Sequence, residues 1–101
     1  MSSEGKIKLG VTIVRYRLTT DFRQTLAMPQ DSKVLCVYRT SDYRVHMSVV
    51  VDNTKPLIRR EVRLYNTGDM IDKSDKTELE YIGTFSINWV VYHAFIEREE
   101  K

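Results

Sequence analysis

The chain has 101 residues, of which 42% are hydrophobic and 30% charged, which suits one core and excludes a core plus a separate cofactor domain. Its formal charge of +2 excludes any argument from overall charge for a nucleic-acid or membrane partner. The lone Cys36 excludes an intramolecular disulfide, and no window approaches the ~20 apolar residues of a membrane-crossing helix. The expectation is a cytoplasmic protein with no membrane partner.

Residues 1–8 read as a flexible leader, 9–97 as a single β domain and 98–101 as a charged tail. Within the domain the dominant hydrophobic period is two, the signature of strands with one buried and one wet face. Val11 to Leu18 changes its apolar phase between Ile13 and Val14, which predicts a bulge or a change of face. Gln24 to Met28 is placed to pair with it as a hairpin across Thr19 to Arg23. Val34 to Tyr38 and Trp89 to Ile96 are nearly continuous apolar runs, read as central strands covered on both faces.

Tyr43 to Val51 alternates most cleanly. Tyr43, Val45, Met47, Val49 and Val51 fall on one side, with Arg44, His46 and Ser48 on the other. Ile58 to Tyr65 repeats the pattern with Arg60 as the exception on its apolar side. Leu79 to Phe85 groups Leu79, Tyr81 and Phe85, and Gly83 marks a bulge or a close backbone approach. Turn residues cluster at Met28 to Ser32, Thr40 to Asp42, Asp52 to Pro56, Asn66 to Asp69 and Ser86 to Asn88. Asp69 to Glu78 reads as a polar loop. About seven short strands with such turns predict an all-β, small antiparallel sandwich or partly open barrel.

The charges are polarised along the chain. Residues 1–66 carry twelve basic and six acidic side chains, net +6, and residues 67–101 carry four and eight, net −4. Should the strands of Arg44 and of Arg59 and Arg63 be neighbours, these arginines and Tyr65 would form a phosphate-binding face with a stacking ring. Arginines on outward strand positions equally keep a sheet soluble and discourage edge pairing. The acidic stretch Asp69, Asp72, Asp75 and Glu78 lacks the ligand spacing and central glycine of a calcium loop. Together with Thr67 it is instead a candidate protein interface.

No catalytic motif is present. There is no phosphate-binding glycine loop, dinucleotide fingerprint, serine elbow or zinc-protease helix. One cysteine and two separated histidines do not supply the usual zinc spacing. Cys36 is expected as a small buried residue and His93 as a core histidine bonded to a neighbour. No cofactor, metal or catalytic residue is expected, and six tyrosines favour binding over catalysis.

The order of the segments Tyr16-Arg-Leu-Thr-Thr-Asp-Phe-Arg-Gln-Thr-Leu-Ala-Met-Pro, Lys33-Val-Leu-Cys-Val, Asn66-Thr-Gly, Tyr81-Ile-Gly-Thr-Phe and Val91-Tyr-His-Ala-Phe-Ile-Glu resembles a family of small all-β proteins of tailed bacteriophages and bacteria. That family carries no assigned activity, so the resemblance implies a setting and no mechanism. This sequence departs from the family pattern in its longer, more acidic stretch Asp69 to Glu80 and in His93 following Tyr92. By analogy with small phage proteins, the expected function is non-enzymatic binding of a host protein, acting on host machinery or defence. The alternative is a module that sequesters nucleic acid or a nucleotide signal. A homo-oligomer, most simply a homodimer formed through exposed strand edges, is also expected.

Overall fold

The computed structural model describes residues 9–72 and 78–99. It contains seven antiparallel strands in chain order: β1 (Val11–Leu18), β2 (Arg23–Pro29), β3 (Lys33–Arg39), β4 (Val45–Asp52), β5 (Leu57–Asn66), β6 (Leu79–Ile87) and β7 (Val90–Glu97). They form a three-stranded sheet, β1-β4-β3, facing a four-stranded sheet, β2-β5-β7-β6. This is the all-β sandwich that the period-two pattern predicts.

The alternation in β4 and β5 builds the core. Val45, Met47, Val49 and Val51 of β4 face Val62 and Leu64 of β5, with Met28, Phe85, Ala94 and Ile96 completing the interior. Each fully buried aliphatic side chain of this kind stabilises the fold by roughly 1.5–3 kcal/mol. Arg60 takes the inward position that the sequence marks as an exception, and its guanidinium is satisfied by main-chain oxygens. Nε and NH2 donate to the Glu97 carbonyl at 3.0 and 2.9 Å, and NH1 donates to the Ser32 carbonyl at 3.0 Å.

The two sheets meet along β3 and β6. Gly83 makes that seam possible: it has φ 152°, and a Cβ there would lie 3.1 Å from the Val37 Cβ. The register of β6 against β7 shifts between Tyr81 and Gly83, which is the bulge expected at this glycine. The opposite seam, between β1 and β2, is bridged by a turn and carries no ladder, which leaves the barrel partly open.

Four expectations are corrected. β1 and β2 do not form a hairpin; they lie in different sheets, and the Gln24 side chain closes the turn between them in place of backbone pairing. Gln24 Oε1 accepts from the Thr19 N–H at 2.8 Å and Nε2 donates to the Thr19 carbonyl at 3.0 Å. β1 has no bulge, since its register against β4 is continuous from Val11 to Leu18. Its apparent phase change arises because Val11 and Ile13 are exposed apolar residues on the outer face. β3 is an edge strand, and the register shift between Val34 and Cys36 leaves Leu35 and Cys36 exposed. Tyr43 and Trp89 lie in turns outside the strands.

The strand directions divide the connections between two ends. Residues 19–22, 40–44 and 88–89, and the start of the β5–β6 connection at Asn66–Asp69, lie at one end, here called the loop end. Residues 30–32 and 53–56 lie at the opposite end.

Candidate binding surface at the loop end

Two turns at the loop end hold large aromatic residues where glycine is the ordinary choice. The β6–β7 hairpin is closed by Asn88 and Trp89 at φ 50° and 71°, a left-handed pair of the kind that favours Asn-Gly. The β3–β4 connection is a turn in which the Tyr43 N–H donates to the Thr40 carbonyl at 3.0 Å and Tyr43 follows at φ 64°. A positive φ is uncommon for any residue with a Cβ and an outlier for a bulky one, costing about 1 kcal/mol or more. Both rings are nevertheless solvent-exposed, Trp89 to 100% and Tyr43 to 62%. Sequence reasoning placed both inside strands, since neither is the glycine or asparagine that marks such turns.

The β3–β4 turn is held by Asp42. Its carboxylate accepts from the Thr40 hydroxyl and from the Arg44 N–H, and Oδ2 lies 3.3 Å from Arg44 Nε. The Thr40 hydroxyl bond, aided by the Arg44 amide and charge, holds the Asp42 carboxyl below the usual carboxylate range. Arg39 supports the aromatic ring of the same turn, its guanidinium carbon 5.1 Å from the Tyr43 centroid.

A groove of about 280 Å³ opens between the three turns, lined by Arg17, Leu18, Thr19, Thr20, Tyr43, Arg44, Val45 and Ile87. Its base is apolar, its rim is hydroxyl and guanidinium, and the charged side chains lining it are both arginines. Arg17 makes no ion pair among the described residues. Trp89 stands two residues beyond Ile87, at the tip of the hairpin that supplies one wall.

The residues singled out from sequence are distributed differently. Arg44 belongs to the loop end on the side of the three-stranded sheet, whereas Arg59, Arg63 and Tyr65 occupy β5 in the other sheet. The four do not share a face. Arg63 Nε is held by Glu61 Oε1 at 2.7 Å, and Arg23 reaches the same oxygen at 3.4 Å. Tyr65 is only 4% exposed; its ring meets Phe22 and Phe95 edge-on at 5.1 and 5.7 Å, so it offers no stacking surface.

In the acidic stretch, Asp69 closes its own turn by accepting from the Asn66 N–H at 2.7 Å and donating its N–H to the Asn66 carbonyl at 3.0 Å. Asp72 is exposed, and Asp75 lies outside the described residues. Thr67 Oγ1 lies 2.8 Å from His93 Nε2, and Thr84 Oγ1 lies 3.1 Å from His93 Nδ1. His93 is therefore not a core residue: it stands on the outer face of the four-stranded sheet, half-buried, with both ring nitrogens engaged by hydroxyls.

Cys36 and His93 sit on different sheets, so they form no nucleophile–base pair. Among the described residues no cluster of three or more His, Cys, Asp or Glu side chains could hold a metal ion.

Comparison with known proteins gives one result. The DUF7352 domain of unknown function matches residues 10–101. The chain belongs to this family. No curated protein and no solved structure matches it. The DUF7352 fold is thus described by its own geometry, with the loop end as the surface whose residues are least explained by packing.

Proposed function

We propose that this DUF7352 protein is a non-enzymatic module that binds another protein through its loop end. The observation that carries the reading is the pairing of Trp89 and Tyr43, both at positive φ and both exposed. Folding alone favours glycine at these positions, and backbone strain retained at an exposed aromatic residue supports a functional role for it. Tryptophan, tyrosine and arginine are the residue types that dominate binding energy at protein interfaces; Tyr43, Arg17 and Arg44 line the groove, and Trp89 stands at the same end, two residues beyond its Ile87 wall. The backbone beneath the two aromatic rings is fixed by a two-residue hairpin at Trp89 and by the Asp42 bonds at Tyr43.

The resemblance to small phage and bacterial proteins supplies the setting: a phage-encoded copy would act in the host cytoplasm on a host protein. The exposed β1 edge, with Val11 and Ile13 on its outer face, supports a homodimer as an accompanying expectation.

The test is photocrosslinking from position 41, an exposed site in the same turn as Tyr43, in lysate of the source cell, compared with the same label placed at position 72. Proteins captured from position 41 and lost with Trp89→Ala or Tyr43→Ala support the reading. Capture from position 72 alone moves the interface to the acidic stretch of Thr67, Asp69, Asp72 and Asp75.

A further inference from the structure

The charge and shape of the groove specify its occupant more closely, on the reading that the loop end is the binding surface. We infer that the groove takes an acidic protein segment in which a carboxylate side chain adjoins an apolar one. Arg17 and Arg44 receive the carboxylate, and the apolar side chain lies on Leu18, Val45 and Ile87. A guanidinium fork matches a carboxylate in two-pronged fashion. The Thr20 hydroxyl of the rim adds a neutral bond to the segment's main chain, whereas that of Thr19 donates to Asp21 Oδ2 at 3.0 Å.

The same end argues against a polyanion. Asp21 and Asp42 lie in turns that line the groove, and Asp69 lies at the same end of the sandwich. A nucleic-acid backbone presents one charge per nucleotide and meets these carboxylates wherever it extends beyond the groove. A segment with one or two carboxylates does not. Tyr65, the ring that a nucleotide reading would use for stacking, is buried on the far sheet.

Trp89 is the only tryptophan in the chain, fully exposed and two residues beyond the groove-lining Ile87, so its emission reports a segment that reaches from the groove onto the hairpin tip. A displayed heptapeptide library with randomised sequence is selected on the immobilised protein. The enriched peptides are then synthesised and titrated while Trp89 emission is followed, with a 20-nucleotide oligothymidylate titrated in parallel.

The expected result is enrichment of Asp or Glu next to Leu, Ile, Val, Met or Phe, and a blue shift of Trp89 emission on binding. Affinity should fall at least tenfold in the Arg17→Gln/Arg44→Gln double variant and depend only shallowly on salt. An unchanged urea midpoint shows that the variant is folded. Enriched peptides without carboxylates that still shift Trp89 overturn the acidic-segment inference and leave the binding-surface reading standing. Binders whose retention on the immobilised protein is unchanged by Trp89→Ala and by Tyr43→Ala overturn both. Oligothymidylate binding that falls steeply with salt and is lost in the arginine variant replaces the peptide with a nucleic acid.

Discussion

The two ends of the sandwich are built on opposite principles. At the end away from the groove, the connections are tied to one another. Gln30 N–H donates to the Pro56 carbonyl at 2.8 Å, Gly10 and Asn53 exchange bonds at 2.8 and 3.0 Å, and the Asp31 N–H donates to the Glu99 carboxylate at 2.9 Å. Lys55 reaches Asp31 at 3.7 Å, and the Arg60 guanidinium ties Ser32 to Glu97 beneath them. At the loop end each of the three turns lining the groove is closed within itself, by Gln24, by Asp42 or by the hairpin ladder. Among the described residues no hydrogen bond joins one of these turns to another. The lesson is that one end serves stability and leaves the other free to present residues that stability alone would not choose.

That contrast can be broken first at Arg60. Arg60→Met removes three donors and leaves the buried Ser32 carbonyl and the part-buried Glu97 carbonyl without them. The expected loss is about 3 kcal/mol, read as a lower urea midpoint with little change in slope.

The seam between the sheets is the next most sensitive place. Gly83→Ala puts a Cβ 3.1 Å from that of Val37 at a φ of 152°, for an expected loss of about 2 kcal/mol. The same change at Gly68, where nothing lies within 4 Å, has strain at φ 98° but no clash and should cost less.

The loop end should respond with the other sign. Trp89→Gly relieves the left-handed strain and is expected to stabilise the protein by about 1 kcal/mol while abolishing capture of its partner. Tyr43→Gly should follow the same direction, reduced by the loss of the Arg39 contact. A thermal melt paired with the capture assay checks both, and a variant that loses stability together with binding would remove the argument from strain.

The smallest expected effect is a pH dependence. Because the folded-state pKa of Asp42 is depressed, chiefly by the Thr40 hydroxyl, its contribution is present above the unfolded carboxylate range and is lost as pH falls through the folded value. Asp42→Asn should therefore differ from the parent near neutrality and converge with it in acid, as followed by urea midpoints from pH 7 to pH 2. Asp52 is depressed in the same direction by the Thr54 hydroxyl and amide, so it titrates in both proteins and cancels from the comparison.

How far the sequence speaks for this structure depends on the element. The inward row Val45, Met47, Val49 and Val51 is legible because a strand with one buried face must alternate. Arg60 is legible as an anomaly within such a row, and Gly83 as the residue at a close approach. Pairing is not legible, because alternation states which face is buried and says nothing about which strand lies alongside. Asp52 to Pro56 has the turn chemistry of a hairpin, yet it carries the chain from one sheet to the other. For the same reason Arg44 and Arg59, expected as neighbours if their strands paired, lie apart, Arg44 in the β3–β4 turn and Arg59 on β5 of the other sheet. The loop-end aromatics are hidden by a different cause. Residue propensities describe what turns prefer, and Tyr43 and Trp89 occupy positions against that preference.

The bulge in β3 has a practical consequence. By turning Cys36 outward on an edge strand, it gives the molecule one thiol handle on its flank, outside the residues that line the groove. A maleimide dye or surface tether attached at that sulfur leaves the aromatic tips unobstructed, so the protein can be immobilised in a single orientation without an added tag.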